Sequence, residues 1–171
     1  MRRVLGTFGI IVAVVLLTTV SAAAQQAVFV VRHAERADGG AAGMASTGSS
    51  DPELSEAGKA RAQSLAAALK DAGIKAIYVT EFKRTQQTAA PLASALGIQA
   101  TIVPAKDMAV LVEKLKAGPG NALVVGHSNT VPDVIKGLGV AEPVKLSEAD
   151  YDYLFVVTQA GTPSLLRLHF R

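Results

Sequence analysis

The sequence predicts a single three-layer α/β/α sandwich built on a mostly parallel sheet with an antiparallel C-terminal strand. Three observations predict it. Short β-branched runs alternate with helical stretches of 10 to 15 residues from Ala27 onward, the pattern of right-handed crossovers. Two of the three histidines, His33 and His127, lie two residues beyond the ends of apolar runs, Val28–Val31 and Ala122–Val125. The chain closes on two strand-like segments, Tyr151–Thr158 and Ser164–Phe170, joined by Gly161-Thr162-Pro163, which reads as a hairpin.

The elements follow in order. Val28–Val31 is the first strand, and Ala37–Asp51, rich in Gly, Ala and Ser, is a loop whose part from Gly39 to Ser50 would rim any site nearby. A helix capped by Ser55 carries Leu65 and Leu69 on its apolar face and ends by Gly73. Ala76–Val79 is strand. The next helix spans Lys83 to about Leu96 and is closed by Gly97, with a kink or break expected near Ala90 because Pro91 lies inside it. Ile98–Val103 is strand, Met108–Lys116 helix, Gly118-Pro119-Gly120 a tight turn and Ala122–Val125 strand. A helix then starts around Val131-Pro132, where a first turn tolerates proline.

Residues 1–24 are expected to be a signal peptide. Arg2 and Arg3 precede a largely apolar stretch from Val4 to Val20, and Ala22-Ala23-Ala24 offers a small-residue cleavage site. An uncleaved membrane anchor is the alternative. Beyond this leader, residues 25–171 suit one domain with its own core, and the expected location is secreted or periplasmic. Of the 17 basic residues, 15 lie beyond the leader and face 14 acidic ones, a balance that gives no reason to expect a nucleic-acid partner. The membrane is expected to matter only during export. With no cysteine, disulfides and a lipid anchor on cysteine are excluded.

Open α/β sheets bind ligands at the carboxyl ends of their strands. Three strand ends here deliver Arg32 and His33, then Thr80 and Arg84, then His127. Guanidinium forks match phosphate oxygens. A neutral imidazole can attack phosphorus, and a second, protonated one can stabilise charge on the equatorial oxygens.

Four phrases carry a resemblance. Val30-Val31-Arg32-His33-Ala34-Glu35, Leu54-Ser55-Glu56-Ala57-Gly58, the element Thr80 through Ala89 with Thr80 in place of the usual serine, and Gly126-His127-Ser128 occur in that order. Together they resemble the histidine phosphatase superfamily, which also contains the cofactor-dependent phosphoglycerate mutases. The resemblance implies a phosphatase that hydrolyses phosphomonoesters in two steps through phospho-His33. Arg32, Arg84 and His127 would bind the phosphoryl oxygens, and no metal or other cofactor is expected. Longer relatives carry a general acid after the third strand; here that segment is only Pro104 to Met108, so Asp107 is the expected acid, with Glu35 and Glu81 in reserve. So short a segment implies an open pocket. The expected partners are phosphorylated small molecules or phosphorylated envelope components.

Two other readings compete. A protein that binds phosphate or a phospho-ligand without turnover would keep the same pocket. A serine hydrolase would use Ser128 in Gly126-His127-Ser128-Asn129-Thr130, with Asp150 or Asp152 and then His169 following in chain order. Thr130 stands where that motif wants glycine, and Arg32, His33 and Arg84 are left without a role.

Overall fold

A computed structural model describes residues 26–39, 51–118 and 120–170. The leader, most of the loop from Gly39 to Ser50, and Pro119 lie outside the described residues. Ten elements follow in chain order: β1 Ala27–Arg32, α1 Glu56–Leu69, β2 Ile74–Val79, α2 Lys83–Leu96, β3 Thr101–Ile102, α3 Met108–Ala117, β4 Asn121–Gly126, α4 Thr130–Gly137, β5 Tyr153–Thr158 and β6 Ser164–His169. The sheet order is β3-β2-β4-β1-β5-β6. The first four strands in that order are parallel, β5 runs antiparallel to β1, and β6 antiparallel to β5.

Side-chain alternation along the strands builds a core on each face. Val28, Val30, Val124 and Phe155 meet Leu111 and Leu115 of α3 and Val131 and Ile135 of α4. Val31, Ile77, Leu123 and Val125 face the other way, onto Leu65 and Leu69 of α1 and Ala89 and Leu92 of α2. Fully burying a side chain such as Leu65 or Leu92 stabilises the fold by about 1.5–3 kcal/mol. The three layers are therefore α1/α2, sheet, α3/α4.

Local chemistry sets the helix ends. The Ser55 hydroxyl accepts from the Gly58 amide at 3.1 Å, capping α1 as expected. Gly58 itself permits a close approach, because a Cβ there would stand 2.2 Å from the Glu35 carbonyl oxygen. That approach lets Ser55 N donate to Glu35 O at 2.9 Å, tying α1 to the segment that follows β1. At the end of α2, Gly97 takes a left-handed conformation with φ 64°.

Two expectations are corrected. Of the kink or break expected near Ala90, the break does not occur: α2 is one helix from Lys83 to Leu96 with Pro91 inside it. Its inner face, with Thr85, Thr88, Ala89 and Leu92 all buried, holds it in place despite the amide that proline lacks. The strand expected over Ile98–Val103 shrinks to Thr101–Ile102, both exposed at the sheet edge.

Candidate active site

β1 and β4 are hydrogen-bonded neighbours with Arg32 opposite Gly126, so the next residue on each strand, His33 and His127, leaves the sheet side by side. The ladder continues one step further, with His33 N donating to Gly126 O at 2.9 Å. The two imidazole centroids stand 5.3 Å apart. Thr80 follows β2, the other neighbour of β4, and Arg84 lies in the first turn of α2. The structure thus brings Arg32, His33, Thr80, Arg84 and His127 together at the carboxyl ends of the parallel strands β1, β2 and β4.

Partners fix opposite tautomers for the two rings. His33 Nδ1 is 2.8 Å from Ala34 O. A carbonyl only accepts, so Nδ1 carries the proton and Nε2 keeps a free lone pair. Ala34 is pinned in turn, its amide donating to Thr88 Oγ1 at 2.9 Å. His127 Nδ1 lies 3.4 Å from Arg84 Nη2, which only donates, so His127 Nε2 carries its proton and donates to Thr80 Oγ1 at 2.9 Å.

Both rings are neutral in the free protein. Burial, together with the Arg32 charge, pulls His33 down to about 3 against the opposing bond to Ala34. Burial and the Arg84 guanidinium pull His127 down to about 4. The protonated second imidazole expected from sequence is therefore absent until an anion enters and offsets Arg84.

A stability effect follows from these shifts. The unfolded chain takes up a proton on each histidine near 6.5 and the folded chain does not, so stability falls as pH drops through 6.5. Between pH 7.5 and 5.5 the two rings together should remove about 2–3 kcal/mol. Denaturant midpoints at the two pH values check this, and equal midpoints with both ring resonances titrating near 6.5 would contradict it.

The arginines are held tightly. Arg32, only 3% exposed, donates through Nη1 to Ser147 O at 2.8 Å and through Nη2 to Glu148 Oε2 at 2.7 Å, with its guanidinium 4.3 Å above the Tyr151 ring. Arg84 stacks at 4.3 Å on Phe82 and reaches Asp51 at 3.5 Å. A third arginine, Arg36, pairs with Asp38 and lines the same pocket, a cavity of about 280 Å³. Ser128, Asn129 and Glu148 complete one wall.

The expected acids do not gather here. Asp107 sits at the N-terminus of α3, its amide bonded to Pro104 O, and is not among the residues lining the pocket. Glu35 is held by Arg61, whose Nε lies 2.9 Å from both carboxylate oxygens. Glu81 accepts from the Ala105 amide at 2.8 Å. The carboxylate that does line the pocket is Glu148, which sequence reasoning missed. It accepts from Ser128 Oγ at 2.7 Å, and this bond and Arg32 hold it below the usual carboxylate range. Nothing in Leu146-Ser147-Glu148-Ala149 marks it, because a loop far along the chain delivers it. Arg36 had a signal, its place three residues after His33, but reads equally well as a solvated loop start.

The serine-hydrolase arrangement is not assembled. Ser128 donates to Glu148, whereas His169 pairs with Asp152 at 3.0 Å and lies against Tyr153. Among the described residues no group of three or more His, Cys, Asp or Glu side chains could hold a metal ion.

The model of the histidine phosphatase superfamily, branch 1, matches residues 28–105, a span that contains Arg32, His33 and Arg84 and stops short of His127. The match over this stretch supports the histidine phosphatase superfamily. Similar folds include the protein histidine phosphatase SixA in complex with tungstate, at 21% identity and a TM-score of 0.66 over 84% of this chain and 97% of that one. The mycobacterial glucosyl-3-phosphoglycerate phosphatase aligns at 14% identity with a TM-score of 0.59, covering 82% and 97% of the two chains. A protein described as mycobacterial hydrolase 1 aligns at 13% identity with a TM-score of 0.64, covering 82% and 96%. At these identities the likeness is one of fold. No curated protein matches the sequence.

Proposed function

We propose that this protein is a phosphatase that hydrolyses phosphomonoesters through a phosphohistidine on His33. The observation that carries the reading is the bond from His33 Nδ1 to Ala34 O, which leaves the Nε2 lone pair available beside His127, the buried Arg32 and the half-buried Arg84. Two of the proteins with a similar fold are named as phosphatases, and one of them holds tungstate, a tetrahedral oxyanion like phosphate.

In the first step His33 Nε2 forms a bond to phosphorus. The ester P–O bond breaks, and its electron pair goes to the leaving oxygen, which takes up a proton from solvent. Arg32, Arg84 and His127 hold the three equatorial oxygens, where cationic donors stabilise the transition state. Their charge would stand in for a metal, so phosphate release from phenyl phosphate is expected to persist in EDTA. In the second step water attacks phosphorus, the N–P bond breaks and its pair returns to Nε2. Glu148, an anion at neutral pH, is suited to take the proton from that water rather than to give one to the leaving group.

This assignment separates two carboxylates. Glu148→Gln is expected to lower kcat about 10²-fold on activated and unactivated esters alike, because it slows a shared second step. Asp107→Asn, off the pocket, should cost much less. A larger loss in Asp107→Asn, confined to esters with poor leaving groups, would instead make Asp107 the acid of the first step.

A further inference from the structure

Helix α2 contributes more to this site than Arg84. Two residues of its buried inner face, Thr85 and Thr88, carry hydroxyl groups among apolar neighbours. A hydroxyl in such surroundings is costly unless it is hydrogen-bonded, and each of these bonds toward one of the two imidazoles. Thr85 Oγ1 lies 3.0 Å from Thr80 Oγ1, the atom that accepts from His127 Nε2. Thr88 stands behind Ala34, whose carbonyl accepts from His33 Nδ1.

The geometry at Thr88 fixes the direction of every bond. Its Oγ1 is 2.7 Å from Arg84 O, which only accepts, so the hydroxyl proton points there. The Ala34 amide, 2.9 Å away, only donates and therefore meets an Oγ1 lone pair. One hydroxyl thus joins the α2 backbone to the peptide that links His33 to Ala34. The bond to Arg84 O, one turn back along the same helix, is an ordinary threonine back-bond and does nothing specific for the site. The bond to Ala34 spans 54 residues of sequence and lands on the residue that sets the His33 tautomer. Thr88 and Ala34 are each only 1% exposed, so bulk water does not reach them to replace the hydroxyl.

We infer that Thr88 is a positioning residue for the reaction at His33: by holding the Ala34 amide it keeps the Ala34 carbonyl in reach of Nδ1, and so keeps the attacking lone pair on Nε2. The inference rests on the phosphatase reading for that attack. Thr88 is not among the residues that line the cavity, so its hydroxyl serves the rate of the chemical step and not the binding of the oxyanion.

Thr88→Val, which keeps the shape and removes the hydroxyl, tests this through three readouts. Long-range proton–nitrogen spectra of the imidazoles at neutral pH report the tautomers. His33 is protonated on Nδ1 in the wild type, and in Thr88→Val that form should no longer dominate, while His127 stays protonated on Nε2. The kcat/KM for p-nitrophenyl phosphate should fall about 10–10²-fold, the scale expected when a reacting group is slightly misplaced. The Kd of inorganic phosphate, measured by calorimetry, should stay within about threefold of wild type. Thr88→Ser, which restores the hydroxyl, should recover both the tautomer and the rate. Thr88→Ala removes the same hydroxyl and carries the test if the valine variant does not fold. A His33 that remains protonated on Nδ1 in the variant overturns the proposal. So does a kcat/KM within about twofold of wild type, or a phosphate affinity that falls in step with the rate. The tautomer is read without turnover. A wild type inert toward p-nitrophenyl phosphate would defeat the phosphatase reading, while the His33 spectrum still decides the role of Thr88.

Discussion

His33→Ala is expected to lower phosphate release by about 10⁴-fold or more, because no neighbouring group can take over a covalent step. His127 is the nearest imidazole, but its Nδ1 lone pair is turned to Arg84 and its Nε2 proton to Thr80, so its ring is occupied as an oriented donor. Alanine also removes the bond that pins the Ala34 carbonyl, and a loss of activity alone could then reflect a displaced loop. His33→Asn answers that objection, since its amide can donate to Ala34 O while offering no nucleophilic nitrogen. The two variants should be equally inactive and should retain the wild-type circular dichroism spectrum. Turnover in His33→Asn within tenfold of wild type would move the nucleophile elsewhere.

Arg84→Ala is expected to cost about 10²–10³ in kcat/KM, the usual consequence of removing one preorganised donor from a developing oxyanion. The same substitution carries a second readout. After burial, the Arg84 charge is the largest influence holding His127 down at about 4, so its removal should raise the His127 titration toward the ordinary 6.5. The sign is fixed: a lost positive neighbour makes it easier to protonate the ring. Arg84→Lys keeps a charge without the bidentate fork and should recover part of the activity with a smaller shift. Loss of activity with an unmoved His127 resonance would mean that Arg84 acts only as scaffold.

Much of this site is legible in the sequence because strand ends are legible. The apolar runs ending at Arg32-His33 and Gly126-His127 become β1 and β4, and their pairing in parallel register makes two residues nearly a hundred positions apart into neighbours. The helix read as Lys83–Leu96 is α2 over those residues, since its apolar spacing and the closing Gly97 are local signals. Features that depend on distant chain segments were hidden. Pro91 signals a break locally, but the buried face of α2 decides otherwise. Glu148 reaches Arg32 across 116 residues from a stretch with no motif, while Asp107, close to the right place in sequence, lies at the start of α3 and off the pocket. The neutral state of His127 follows from burial and from a charge on another helix, which no local pattern encodes.

The central claim is a covalent phosphohistidine at His33, and trapping it is the most direct test. The protein would be mixed with a ³²P-labelled phosphomonoester in EDTA, quenched within the first turnover, and divided between acid and alkali. A phosphohistidine gives protein-bound label that survives alkali, disappears in acid, and is missing from His33→Asn. Label that survives acid, or equal labelling of His33→Asn, would contradict the account.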